Sequence, residues 1–333
     1  MLRFNPAGNG RGENVPLDFQ KNFTFARIST NVTARKTLSP RNQVNSMHPF
    51  VIHIANGHSL FSGAALLITA ALLRHRAPRK WYRRACVIAG IVGFLLAVLS
   101  ANPFHAITWG ALAAAVVIAF RERTEQSRRW LLPVACGWWG IICLSELAWQ
   151  FTPRISESAT SRPVVVLADS VTAGLGEGEA TTWPTLLRNE SSVNVVDLSH
   201  VGETVNSALK RVKRYELPER AVVILELGGN DILGGTSASN FETGLDALLT
   251  YVATDHRDVY LFELPLPPFH NQWGRIQRQQ AKKHRVSLVP RHNLASVFAG
   301  TESTFDSIHL TQLGHKRLLR IVRHVLRIPI EER

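Results

Sequence analysis

The chain has 333 residues, 45% of them hydrophobic, and carries 38 Lys and Arg against 25 Asp and Glu, a formal charge of +13. That length points to two domains rather than one. The charge does not point to nucleic acid as a partner: from residue 163 onward 19 basic residues balance 19 acidic ones, so the excess belongs wholly to the first 162 residues. There, short basic runs separate apolar stretches, the pattern of membrane proteins rather than of nucleic-acid binders.

Residues 1–46 carry seven Lys or Arg against Glu13 and Asp18. Met47, the only methionine besides Met1, stands immediately before the first apolar stretch. The expectation is an upstream extension with translation starting at Met47; a cleaved or disordered Arg-rich leader is the alternative.

Four apolar stretches follow within residues 47–151, at 51–73, 85–101, 104–120 and 130–151. A bilayer-crossing helix needs about 17–25 such residues, so the region reads as four transmembrane helices. A buried bundle in a soluble protein fits less well, because the stretches lack a polar face. Basic loops at 74–84 and 121–129 and an uncharged turn at Ser100-Ala101-Asn102-Pro103 put the loops in the cytoplasm and the turn outside. The C-terminal domain is then extracytoplasmic, on an integral membrane protein. His53, Asn56, His58, His105 and Glu146 fall toward the outer ends of the spans; they read as a wetted interface, or as a vestibule presenting substrate. Cys86, Cys136 and Cys143 lie in apolar stretches and none follows residue 163, so the C-terminal part has no disulfide or cysteine metal site.

Residues 152–162, rich in Ser, Thr and Pro, read as a linker. From 163 to 333 short β-branched runs alternate with amphipathic segments. Strands are predicted at 163–168, 193–198, 221–227, 259–264 and 286–289. Helices are predicted at 183–189, 204–215, 241–254, 272–284 and 311–326. This alternation predicts a doubly wound parallel sheet with its site at the carboxyl ends of the strands.

Four short motifs fall at such ends or in the last loop. Ser170, in Ala168-Asp169-Ser170-Val171, closes the first strand, where a hydroxyl at a strand-to-helix turn can attack a carbonyl. In Asp306-Ser307-Ile308-His309 the spacing lets the carboxylate hold one imidazole nitrogen while the other faces a nucleophile. His200 and His315 lie nearby but lack an Asp at that spacing. Gly202 follows the second strand and Asn230 the third; a glycine opens its N–H to close approach and an Asn amide offers another donor for an oxyanion.

In this order Ser170, Gly202, Asn230, Asp306 and His309 resemble the SGNH (GDSL-type) hydrolase family. The supporting matches are Trp183-Pro184-Thr185-Leu186-Leu187, and His309-Leu310 followed by Gly314. The resemblance covers nearly all of residues 163–333 and none of the membrane part. It implies a flavodoxin-like three-layer α/β/α domain, with Ser170 as nucleophile, His309 as general base and Asp306 orienting it. It further implies an oxyanion hole of Ser170 N–H, Gly202 N–H and the Asn230 amide, with Asp231 a structural partner. Two positions depart from the family: Ala168 stands where it has Gly, and Val171 where it has Leu.

The resulting expectation is a membrane-anchored serine esterase acting on a carboxylic ester, lipid or acylated carbohydrate. The alternatives are an acyltransferase using the same triad and a catalytically inactive extracytoplasmic binding module. Gly174-Leu175-Gly176-Glu177-Gly178 lacks the nucleotide spacing and is acidic, so it reads as the site rim. Neither cofactor nor metal is predicted.

Overall fold

The computed structural model describes residues 48–74, 80–103, 109–111, 113–114, 125–175 and 180–329, all within one compact unit. The N-terminal extension, most of the third apolar stretch including His105, residues 75–79 and 121–124 of the two basic loops, and residues 176–179 lie outside the described residues.

Five parallel strands form the sheet: β1 Val164–Ala168, β2 Val195–Asp197, β3 Val222–Glu226, β4 Asp258–Phe262 and β5 Ser287–Val289, in the order β2-β1-β3-β4-β5. Register is set by apolar residues on both faces, because both are covered. Val164, Val166 and Ala168 enter one core with Val222, Ile224, Tyr260 and Phe262, while Val165 and Leu167 enter the other with Val223, Leu225, Val259 and Leu261.

The covering helices segregate by face. Trp183–Glu190, Arg291–Ala299 and Gln312–Leu326 pack on the first core; Val205–Val212, Ala238–Val252 and Asn271–Lys283 pack on the second. The chain winds both ways from β1, giving the flavodoxin-like strand order whose switch point lies between β1 and β3.

Ahead of this domain come α1 (Pro49–Ala55), α2 (His58–Arg74), α3 (Lys80–Leu99) and α4 (Glu125–Leu147). Of the four expected spans, the third lies mostly outside the described residues. Among the residues described, one helix, α3, is long and apolar enough to cross a membrane; α1 and α2 make a second candidate only if counted as one span bent by 91°. The bend sits at Asn56-Gly57, where Gly57 adopts φ +83 and its carbonyl accepts hydrogen bonds from Ser100 and Asn102. Helix α4 contains Pro133 and carries Glu146 in its last turn.

α2 and α3 pack backbone to backbone. A Cβ at Gly63 would lie 2.6 Å from the Gly93 carbonyl oxygen and 2.8 Å from the Ala97 nitrogen. Small residues at such positions let helices approach closely, as they do in membranes.

The segment 152–162 is packed rather than free. Ile155 and Ala159 are buried in the first core, as is Ile52 of α1, and Ile155 donates its N–H to the Val325 carbonyl. Short Ser/Thr-rich composition therefore concealed two apolar anchors.

Beside these apolar anchors, the contact between helices and sheet has a buried polar part. Glu263, directly after β4, accepts from Arg278 at 2.8 Å and from Arg291; Arg278 also donates to both oxygens of Glu146 at 3.0 and 2.9 Å. Arg291 further donates to the Ala101 carbonyl, and Arg278 lies 4.8 Å from the centre of the Trp149 ring. Burial alone would raise the Glu263 carboxyl, but the two guanidiniums outweigh it and hold it down at about 2. Glu146 is thus a structural ion-pair partner rather than the lining of a vestibule.

Candidate active site

After Ala168 the chain turns sharply into a single helical turn, α5 (Ser170–Ala173), the next helix in chain order. Asp169 caps it, its side chain accepting the Val171 N–H at 2.9 Å, as a short acidic residue does at a helix start. Ser170 is thereby set at the carboxyl end of β1 with 7% of its surface exposed. Ala168 is an ordinary extended residue paired with Glu226, so the departure from glycine there imposes no backbone strain.

His309 arrives from the loop before the last helix. Its Nε2 lies 3.2 Å from Ser170 Oγ, and its Nδ1 lies 2.7 Å from Asp306 Oδ2. The other Asp306 oxygen accepts the backbone N–H groups of Ile308 and His309 at 3.1 and 2.9 Å. Ser307 between them adopts φ +81, a left-handed twist that costs an L-residue about 1–2 kcal/mol. An antiparallel bridge between Thr304 and Leu310 closes the loop. Burial raises the Asp306 carboxyl, but the His309 and Ile308 donors outweigh it, so its pKa falls below the ordinary value.

Two further loops abut the β1 end. His200 donates its N–H to the Ala168 carbonyl at 3.0 Å, placing the loop of Gly202 there. Gly202 has φ +75, and a Cβ on it would meet nothing within 4 Å: the twist needs glycine, and the space beside it is open. After β3, Gly228 (φ +112) and Gly229 lead into Asn230; a Cβ on Gly229 would lie 3.1 Å from Asp169 Oδ2. Asn230 donates one amide hydrogen to the Glu203 carbonyl at 3.1 Å, which fixes the side chain and leaves its second hydrogen. Asp231 is fully buried and accepts the Val205 N–H at 3.0 Å, a structural role.

His200 is exposed, with Nδ1 2.7 Å from the Val201 carbonyl, and His315 is buried, accepting the Trp183 N–H at 3.4 Å. Neither competes with His309 for Ser170.

Sequence reasoning missed a buried carboxylate pair beneath the serine. Glu226, the last residue of β3, is completely enclosed; Thr172 donates its hydroxyl to Glu226 Oε2 at 3.1 Å, and the Trp183 indole donates to Thr172 at 3.0 Å. Burial raises Glu226 well above the usual carboxylate range, helped by the nearby Asp169 charge. Burial likewise lifts Asp169 to about 6 despite the Val171 N–H and His309, which lower it. The signal was present: Glu226 is the single charge within the apolar run Val222-Val223-Ile224-Leu225-Glu226-Leu227.

A hydroxyl, an imidazole and a carboxylate in hydrogen-bonded series, at the carboxyl edge of a parallel sheet and flanked by a glycine and an asparagine, form the constellation of a serine hydrolase. Residues 169–317 match the family model described as the GDSL-like Lipase/Acylhydrolase family. That match lies wholly in the C-terminal region, and the chain is a serine hydrolase acting on ester bonds.

The chain is 26% identical over 147 residues to Esterase TesA of Pseudomonas aeruginosa, spanning 41% of this chain and 73% of that protein. It is 28% identical over 141 residues to Thioesterase 1/protease 1/lysophospholipase L1 of Escherichia coli, spanning 40% and 68%. A crystal structure of TesA aligns at 26% identity with a TM-score of 0.44, over 50% of this chain and 98% of that one.

Proposed function

We propose that the protein is a membrane-anchored esterase with an extracytoplasmic catalytic domain, in which Ser170 attacks the carbonyl carbon of a carboxylic ester. His309 takes the serine proton during attack and returns it to the departing alcohol; water then repeats the sequence on the acyl-enzyme. Asp306 fixes the imidazole tautomer and stabilises the imidazolium. The N–H groups of Ser170 and Gly202 and the free amide hydrogen of Asn230 stabilise the oxyanion. The observation that carries this reading is the 3.2 Å approach of His309 Nε2 to Ser170 Oγ, with Asp306 2.7 Å behind.

Anchoring is supported by the exposed apolar face of α3, where Ile88 is 62% exposed, and by Leu144 on α4 at 68%. The relatives named as esterase and thioesterase make oxygen and sulfur esters the substrates to test; lipid and acylated carbohydrate are both within the class.

A fluorophosphonate probe should label the full-length protein, and Ser170→Ala should abolish both labelling and turnover of short acyl esters. Labelling that survives the substitution would remove Ser170 from its role.

A further inference from the structure

All five strands are parallel, so their carboxyl ends share one edge. That edge is divided. At the ends of β1, β2 and β3 stand Ser170, Gly202 and Asn230. At the ends of β4 and β5 stand Glu263 and Arg291, which bind α4 through Arg278 and Glu146 and bind the α3 turn through the Ala101 carbonyl. Asn271 adds hydrogen bonds to the carbonyls of Ser100 and Asn102. Adjacent strands lie about 4.8 Å apart, so β1 is roughly 10 Å from β4 along this edge.

The apolar surface of the helices reaches the same edge. Exposed Leu95 is one turn before Leu99, about 6 Å from the docked turn. Leu144 and Leu147, both exposed, flank the Glu146 that is bonded to Arg278.

The catalytic domain has its own exposed large apolar side chains, and their placement is not random. Apart from Tyr215, those among the described residues are Leu175, Val201, Leu233, Phe269, Phe305 and Ile308. The first four follow the carboxyl ends of β1, β2, β3 and β4, and the last two flank Asp306 and His309. Leu233 and Phe269 are each 73% exposed. Apolar side chains gathered around a site mark an interaction surface.

We propose that this edge is a membrane-contact face. Its apolar rim dips into the leaflet that the helices cross, and the ester reaches Ser170 from the bilayer side. The substrate is then an amphiphile with its acyl chain in the membrane rather than an ester dissolved in water. The inference rests on the esterase and membrane-anchor readings given above.

The test uses the full-length chain in phosphatidylcholine vesicles. One substrate is a fluorogenic long-chain acyl ester embedded in the vesicle; the other is p-nitrophenyl acetate in solution. In the Leu233→Asp/Phe269→Asp double variant the ratio of embedded to dissolved turnover should fall by about tenfold or more, as expected when two large apolar groups lose their contact. An unchanged ratio overturns the proposal, as does wild-type protein that cleaves only the dissolved ester.

An activity-independent measurement separates the two readings. Phe269→Cys, in a chain whose three native cysteines are alanine, is labelled with a nitrobenzoxadiazole fluorophore. Nitroxide lipids in the vesicle should quench it. Absence of quenching overturns the membrane contact, including the case where a protein copy covers the rim. Wild-type protein that cleaves neither ester and takes no fluorophosphonate overturns the esterase reading, and this proposal with it.

Discussion

Asn230 commits one amide hydrogen to the Glu203 carbonyl, so its second hydrogen is held in a fixed direction without further reorganisation. If that hydrogen stabilises the oxyanion, Asn230→Ala should lower kcat by about 10²–10³ with little change in KM. Steady-state kinetics on a short acyl ester checks this, and a fall below tenfold removes the assignment. The carboxylates below the serine give a prediction of opposite kind. Glu226 and Asp169 have raised pKa values in the fold, so ionising them costs stability that grows as pH rises from the unfolded carboxylate range, through about 6 for Asp169 and with Glu226 raised well above the usual range. Glu226→Gln should therefore raise the melting temperature more at pH 8 than at pH 4. An equal effect at both pH values would show that the pair carries no such penalty. Ser170, Gly202 and Asn230 were legible as positions that follow a strand, and Asp306 and His309 by their spacing. The pair was not, since a lone Glu in an apolar run does not name the partner beneath it.

The strands were legible because burial on both faces leaves continuous apolar runs bounded by polar turns. The helix Arg291–Ala299 was overlooked, being nine residues long with a buried Arg at its start and only Leu294, Ala295, Val297 and Phe298 to mark its face. The 91° break between α1 and α2 was overlooked too, although Asn56-Gly57 is a turn dipeptide: the apolar residues on either side mask it in a composition window. The contact of α2 with α3 is the element-level feature most sensitive to volume. Gly63→Val would drive a side chain into the Gly93 backbone, and overpacking of this kind costs about 1–3 kcal/mol. A lower melting temperature of the full chain in detergent is the expected result; no change would mean that the pair does not pack this way.

The whole molecule departs most from its sequence pattern where the two regions join. A linker was expected at 152–162, yet Ile155 and Ala159 are core residues and Thr152 pairs with Asn293. No composition rule reveals that Arg278 reaches Glu146 from 132 positions away. Arg278→Met leaves two acidic side chains enclosed without their shared cation, and removing one partner of a buried pair costs about 3–5 kcal/mol. Denaturant titration of the full chain should show that loss at neutral pH. The depressed Glu263 pKa adds a pH signature: the stabilisation is present above the unfolded carboxylate range and fades as pH falls toward about 2. The difference between wild type and variant should shrink over that window.

Ile52 has a consequence for anyone trimming the gene. It contributes an aliphatic plug from α1 to the same core as β1 and the last helix. A soluble fragment cut at residue 163 would keep the whole catalytic motif set, yet leave an open socket where Ile52, Ile155 and Ala159 belong, and strip Arg278 of one of its anions. Such an excised piece should express poorly or clump, and its inactivity would be a defect of folding rather than of chemistry.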